Sequence, residues 1–310
     1  MRKKVTVVGA GFVGATTAQR LAEGDHCDVV LIDIPDKEGP TKGKALDMIE
    51  SAPLLGFDAK ITGTADFADI KGSDIVVVTA GVARKPGMTR EDLIGINANI
   101  VKSVSNEIKT HAPDTIVIMV SNPLDVTTYV ASQVLGFPKE RVVGMAGVLD
   151  SARYQSFIAM ELNVSMKDVN AMVLGGHGDQ MVPLPQYSTV SGIPITELMD
   201  QATIDRIVER TRKGGGEIVN LLGDGSAYYA PSASVVEMVD SILFSRRRLL
   251  PCAAYLTGEY GLNDLYIGVP VYLGSNGIDE ILELKLTDAE QQQLRDSAEV
   301  VKATVAEVGL

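Results

Sequence analysis

Cysteine, histidine, positive charge and long apolar runs are all scarce in this chain, and each scarcity removes a class of function. The two cysteines, Cys27 and Cys252, stand far apart and outside any metal-ligand spacing, so neither a disulfide framework nor a metal site is expected. A reducing cytoplasm is the simplest setting for them. Met1-Arg2-Lys3-Lys4 passes at once into Val5-Thr6-Val7-Val8-Gly9, which leaves no room for the longer apolar segment and cleavage site of a secretory leader. No uninterrupted apolar run approaches the roughly 20 residues of a membrane span, so no membrane partner is expected. With 28 Lys and Arg against 40 Asp and Glu, the formal net charge is -12. That balance favours solubility and argues against nucleic acid, because phosphate binding needs a basic footprint. The compact basic cluster Arg246-Arg247-Arg248 is too short to change this and, lying between apolar runs, reads as a strand edge or a subunit contact.

What is present is a chain of 310 residues, 45% hydrophobic, long enough for a large core and for two domains. Val5 to Val8 is a short β-branched run, followed by a glycine turn and a helical stretch from Ala15 to about Ala22. Val29 to Ile32 is a second apolar run ending in Asp33. The alternation continues through a strand at Ile75 to Thr79, a helix from about Arg90 to His111, a strand at Thr115 to Val120, a helix near Thr127 to Leu135, and Val142-Val143-Gly144. Continuous apolar strands separated by helices imply a parallel sheet covered on both faces, so residues 1–146 read as a doubly wound α/β domain.

Beyond that point the pattern changes. A helix from Ser151 to Leu162 leads to the run Val169 to Leu174, and a loop carries four prolines, Pro183, Pro185, Pro194 and Pro231. Helices follow at about Ile204 to Leu222 and Ser232 to Phe244, and Cys252 to Tyr255 and Leu265 to Leu273 have the character of antiparallel strands. Thr287-Asp288-Ala289-Glu290 is a capping-box pattern opening a final helix with Leu294, Ala298, Val301 and Val305 on one face. Residues 147–310 therefore read as an α+β second domain.

Three segments carry chemistry. In Gly9-Ala10-Gly11-Phe12-Val13-Gly14 the G-x-G-x-x-G pattern follows a strand and opens a helix, the context a dinucleotide site requires. Gly9 is placed to make the tight turn, Gly11 to let the backbone approach a pyrophosphate, and Gly14 to pack helix on strand. Asp33, ending the next strand, is placed to accept hydrogen bonds from ribose hydroxyls and to repel a ribose phosphate, which favours NAD over NADP. The pattern alone admits FAD as well, and Asp33 alone admits an ordinary strand-end acid. In Gly81-Val82-Ala83-Arg84-Lys85-Pro86-Gly87-Met88-Thr89-Arg90, two arginines and a lysine follow a strand's carboxyl end, where open parallel sheets bind ligands. Guanidinium groups bind carboxylates bidentately, so the loop suggests either an anionic substrate under a closing lid or a solvated basic loop.

The third is Gly175-Gly176-His177-Gly178-Asp179, which holds one of only three histidines. Imidazole titrates near neutrality, so His177 is the natural candidate for moving a proton, and its glycine neighbours either mark a turn or let a ligand come close. In Leu149-Asp150-Ser151-Ala152-Arg153, Asp150 and Arg153 share a helix face. They form either a local ion pair or an orienting carboxylate beside an anion clamp.

With these motifs in this order, the sequence resembles the lactate/malate dehydrogenase family over essentially its whole length. The resemblance implies a Rossmann domain at 1–146 that binds NAD through Gly9, Ala10, Gly11, Phe12, Val13, Gly14, Asp33, Asn97, Val120, Ser121 and Asn122, followed by a catalytic α+β domain at 147–310. His177 resembles the family's proton acceptor, oriented by Asp150. Arg153 is similar to the arginine that fixes the C1 carboxylate, Arg90 to the lid arginine that polarises the reacting carbonyl, and Asn122 to the asparagine on the substrate oxygen. Arg84 stands where lactate enzymes of the family carry glutamine and malate enzymes carry arginine. The resemblance therefore points to a dicarboxylic 2-hydroxy or 2-oxo acid, with no metal, in a homodimer or homotetramer. The competing readings are a lactate dehydrogenase, an NAD-binding sensor without catalysis, and a more distant Rossmann enzyme such as an NAD-dependent glycosidase.

Overall fold

In the first half of the chain every inner strand is apolar on both sides, and the fold follows from the need to cover both. The computed structural model describes residues 2–82, 90–223 and 225–309, with the backbone alone at Arg90 and Glu91. Strands β1 (Lys3–Val8), β2 (Cys27–Ile32), β3 (Ile61–Thr64), β4 (Ile75–Val78), β5 (Ile116–Met119) and β6 (Val142–Gly144) pair in parallel in the order β3-β2-β1-β4-β5-β6. Helices α1 (Phe12–Glu23), α2 (Glu38–Leu55), α3 (Arg90–His111) and α4 (Leu124–Leu135) lie among them. Alternate residues of one strand enter different cores: Ile75 and Val77 pack with Leu21 of α1, whereas Val76 and Val78 pack with Val101 of α3. Fully burying each such side chain contributes roughly 1.5–3 kcal/mol.

The second half opens with α5 (Gly147–Leu162), then the short strands β7 (Val169–Asn170), β8 (Val173–Leu174), β9 (Val182–Pro183), β10 (Thr189–Val190) and β11 (Ile193–Pro194). Helices α6 (Ile195–Leu198), α7 (Gln201–Leu222) and α8 (Tyr229–Leu243) follow, then β12 (Arg248–Thr257), β13 (Asn263–Gly274), β14 (Gly277–Ile281) and α9 (Asp288–Glu307). The run Val169 to Leu174 is not one strand. Its two ends join different small sheets, β11-β10-β7 and β8-β9.

Two further differences from the sequence pattern have physical causes. The antiparallel strands build no sheet of their own: β12 docks on β6 at Ala253 opposite Gly144, so the nine strands form one sheet ordered β14-β13-β12-β6-β5-β4-β1-β2-β3. Between Asp33 and Ile75, α2 and β3 have no counterpart in the pattern. Helix α2 buries only Thr41 and Ala45, exposes Leu46, Ile49, Leu54 and Leu55, and contains Pro53, so it shows little inward apolar period. The capping box of α9 is present in full, with Glu290 N–H donating to Thr287 Oγ1 and Thr287 N–H donating to Glu290. Of the basic cluster, Arg246 is paired with Asp240 and Arg247 with Glu280, while Arg248 opens an inner strand rather than an edge.

Ile118 of β5 is fully buried in the core shared by both halves. Ile118→Ala is expected to cost about 2–5 kcal/mol, read as a lower midpoint in chemical denaturation; a change near zero would mean that the β5 layer is not the packed core described.

Candidate active site

The strand order reverses direction between β1 and β4, and the turns after these two strands open together at the carboxyl end of the sheet, where doubly wound folds bind their ligands. Gly9 has φ +104, and a Cβ on Gly14 would lie 1.8 Å from the Gly9 carbonyl oxygen, so both positions exclude a side chain. Nothing lies within 4 Å of where a Gly11 Cβ would be. Gly11 caps α1 with no side-chain hydrogen bond, and the first turn holds no acid. The leading N–H groups of α1 thus present an uncapped positive helix end in front of open space, the arrangement that holds a pyrophosphate. Asp33 is fixed by N–H donation from Ala10 to Oδ2 and from Ile34 to Oδ1, both at 2.8 Å, and each oxygen keeps a lone pair for a ribose hydroxyl. These residues fit a dinucleotide.

The remaining cofactor candidates divide between the cleft surface and its support. Val13, Val120 and Asn122 line a cleft of about 910 Å³. Phe12 is exposed and stacks on Tyr228, with ring centroids 5.2 Å apart. Asn97 is buried; its Oδ1 accepts from Val82 N–H at 2.8 Å and its Nδ2 donates to the Asn122 carbonyl at 2.7 Å, joining the turns after β4 and β5. Ser121 Oγ donates to the Ala80 carbonyl at 2.5 Å and braces the same two turns. Ala10 is buried, and its carbonyl accepts from Lys44.

The second half supplies the charged groups. Helix α5 starts immediately beyond β6, and Asp150, in its first turn, is 2% exposed. Its Oδ2 lies 2.8 Å from His177 Nδ1 and its Oδ1 lies 3.3 Å from Arg153 Nη1. The Asp150–Arg153 ion pair is present, and the same carboxylate also holds the histidine ring. With Nδ1–H donated to Asp150, Nε2 of His177 is left to face a substrate. Burial works against the imidazolium, but the Asp150 charge, its hydrogen bond and Asp125 together outweigh burial and the Arg153 cation, and the His177 pKa is raised. His177, Arg153 and Asn122 line the same cleft, and Arg153 Nε is buried with no hydrogen-bond partner among the described residues. Arg84 and the Arg90 side chain lie outside the described residues.

The glycines beside His177 work chiefly behind the loop rather than in front of it. Gly175, at φ +88, exchanges hydrogen bonds of 2.9 and 3.1 Å with Gly268 of β13, where a Cβ would lie 2.6 Å from the Gly175 carbonyl oxygen. Gly176 packs against Val301 of α9 and donates its N–H to Ser297 Oγ at 2.8 Å. Gly178 alone faces open space in the manner expected for ligand access.

Two features of the site escaped the sequence reading. Gly214-Gly215-Gly216 lies inside α7, where each glycine costs roughly 0.5–1 kcal/mol relative to alanine. A Cβ at Gly214 would meet Arg153 Cδ at 3.3 Å, so the run lets the helix backbone approach the guanidinium. That triple glycine was a legible signal. The other is Asp125 of α4, whose Oδ2 accepts the His177 N–H at 2.8 Å.

A dinucleotide-binding α/β fold with a histidine, a buried carboxylate and an arginine converging on its cleft defines a two-domain nicotinamide-dependent dehydrogenase. The chain belongs to the lactate/malate dehydrogenase family. The NAD-binding domain model of that family matches residues 3–144, and its α/β C-terminal domain model matches residues 147–309. The malate dehydrogenase of Bacillus cytotoxicus is 60% identical over 301 residues, covering 97% of this chain and 96% of that one. Among solved structures, the apo malate dehydrogenase of Picrophilus torridus matches with a TM-score of 0.96 at 49% identity over 100% of this chain and 98% of that one. The lactate dehydrogenase of Cryptosporidium parvum complexed with lactic acid and nicotinamide adenine dinucleotide matches with a TM-score of 0.96 at 40% identity, over 100% of this chain and 98% of that one.

Gly14→Val would drive a side chain into the Gly9 carbonyl. It is expected to abolish NADH binding, measured by quenching or enhancement of dinucleotide fluorescence; retained affinity would remove the glycine turn from the cofactor site.

Proposed function

We propose that the protein catalyses the reversible NAD-dependent oxidation of (S)-malate to oxaloacetate, with His177 as proton acceptor and donor. The observation that carries the mechanism is the Asp150 carboxylate bridging His177 and Arg153 on the wall of the cleft. NAD, held by Gly9, Gly11, Gly14 and Asp33, supplies the hydride acceptor. Arg153 holds the C1 carboxylate, and its buried, unpartnered Nε supports that role, because an anion there satisfies a group otherwise costly to bury. His177 Nε2 takes the hydroxyl proton as malate is oxidised and returns it when oxaloacetate is reduced. Asp150 stabilises the resulting imidazolium and fixes the tautomer. Asn122 hydrogen-bonds the substrate oxygen.

Arg84 and Arg90 enter on sequence grounds. Arg90 polarises the reacting carbonyl, the kind of preorganised electrostatic contribution whose removal costs about a hundredfold or more in rate. Arg84 meets the distal carboxylate. A fixed cation in a closed pocket is left unpaired by the methyl group of pyruvate, which disfavours lactate chemistry.

The reaction places the protein in the tricarboxylic acid cycle, and we assign it to the cytoplasm, where its two buried free thiols stay reduced. It works as a homodimer or homotetramer; Leu46, Ile49, Leu54 and Leu55 form an exposed apolar stretch on α2 of the kind a subunit contact covers.

The decisive assay compares oxaloacetate with pyruvate, each with NADH and then NADPH, by loss of reduced-nicotinamide absorbance. Oxaloacetate with NADH is expected to be the best pair, and a preference for pyruvate would overturn the substrate. His177→Asn is expected to abolish turnover while leaving NADH affinity nearly intact; comparable turnover in that variant removes His177 from the mechanism. Arg84→Gln is expected to lower kcat/KM for oxaloacetate and raise it for pyruvate, and an unchanged ratio of the two would refute the discriminating role of Arg84.

A further inference from the structure

The loop bearing His177 is tied to three helices, and one of the ties is a charge where a neutral group would serve. Asp150 of α5 holds the ring, Ser297 of α9 accepts the Gly176 N–H, and Asp125 of α4 accepts the His177 N–H across 52 residues of sequence. Asp125 is 5% exposed, and its other oxygen, Oδ1, is buried with no hydrogen-bond partner among the described residues. An asparagine could accept the same N–H, and a buried carboxylate with one oxygen unsatisfied is costly. Burial in fact pushes the Asp125 pKa up to about 6 against the lowering effect of the His177 N–H and ring. A cavity of about 320 Å³ lies behind the loop, lined by Asp125, Gly176, Asp179 and Ser297, so the carboxylate stands on the face of His177 turned away from the main cleft.

We propose that Asp125 is a second positioning carboxylate for His177: it pins the backbone of the proton-transfer residue and biases the ring toward the imidazolium that forms when malate is oxidised. The inference rests on His177 being the proton acceptor. Among the described residues, the charged groups around the ring are few. From α5 come Asp150 and Arg153, from the ring's own loop Asp179, and from α4 Asp125. Helix α9 turns only uncharged Ser297, Val300, Val301 and Thr304 toward the cavity. On the cleft side, α7 presents cations that have acidic partners, Arg206 with Glu161, Arg210 with Glu217 and Lys213 with Glu209, and Arg212, whose Nε donates to the Met181 carbonyl. Asp125 therefore adds to Asp150 and opposes Arg153 in setting the ring's proton affinity.

Asp125→Asn keeps an acceptor for the His177 N–H and removes the charge. A carboxylate near the ring favours its protonated form, so its loss makes His177 a weaker base and moves both of its titration limbs to lower pH. In kcat/KM profiles for malate oxidation at saturating NAD, the variant is expected to keep about three- to tenfold more of its own plateau rate than the parent does on the acid limb. In oxaloacetate reduction, which needs the imidazolium, the basic limb moves down by the same amount. Asp125→Glu, retaining the charge, is expected to restore the parental limbs. Limbs that coincide with the parent's, whatever the plateau, would leave Asp125 a merely structural contact and overturn the proposal. If Asp125→Asn does not fold, judged by NADH binding, Asp125→Ser gives the same neutral test. The two readings fail separately: turnover by His177→Asn removes the proton acceptor itself, whereas an inactive His177→Asn with unmoved limbs in Asp125→Asn removes only Asp125.

Discussion

The Asp150 carboxylate is the group on which the rest of the site depends. It is almost wholly buried, and burying an ionised carboxylate costs several kcal/mol unless charge and hydrogen bonds compensate. His177 on one oxygen and Arg153 on the other provide that compensation, so each partner is held by the other's need for the same anion. The spacing between the proposed proton acceptor and the proposed anion anchor is thereby set by the bite of one carboxylate. Breaking either contact leaves a charge in a place where water does not relieve it, which makes the cluster rigid as well as polar.

The fold delivers this cluster to the cofactor by continuing one sheet through both halves of the chain. The first half binds with backbone: a glycine turn, an uncapped helix end and one carboxylate beyond β2. The second half binds with side chains on α5 and on the loop after β8. Because β12 docks on β6, and α5 departs from the end of β6, the charged cluster and the glycine turn share a single hydrogen-bonded framework. The Gly175 and Gly268 backbones then anchor the His177 loop to β13 of that framework.

What was legible in the sequence followed the strength of local signals. The strands β1, β2, β4 and β5 are apolar on both sides and short, and the glycine turn sits where strand meets helix, so the first half reads directly. Helix α2 does not, because Leu46, Ile49, Leu54 and Leu55 point outward and the breakers Gly39, Pro40, Gly43 and Pro53 interrupt its pattern. Motif order points to His177, Asp150 and Arg153, yet only the fold shows that one carboxylate serves both other side chains. Asp125 was invisible, since an acid in the first turn of a helix is ordinary and its partner lies far along the chain. In the sequence the glycines around His177 admit either a turn or the approach of a ligand, whereas Gly175 and Gly176 leave room for Ser297 and Val301 of α9. Sequence alone gives a glycine's freedom and not its neighbours.

The net charge of -12 sets the electrostatic problem that the cleft solves. A dianionic substrate meets a protein that repels it at long range, so attraction must come from cations placed inside the cleft, where a low dielectric strengthens them and screening is weak. Most cations on the α7 wall are already committed to acids: Arg206, Arg210 and Lys213 each carry a carboxylate partner. Those partners already neutralise part of their charge. Arg153 differs, because its contact with Asp150 uses Nη1 and leaves Nε buried without a partner among the described residues. Gly214 and Gly215 of α7 keep side chains away from that guanidinium. A carboxylate entering there displaces no ion pair, which supports the proposed role of Arg153 as anchor of the substrate rather than one of several interchangeable positive charges.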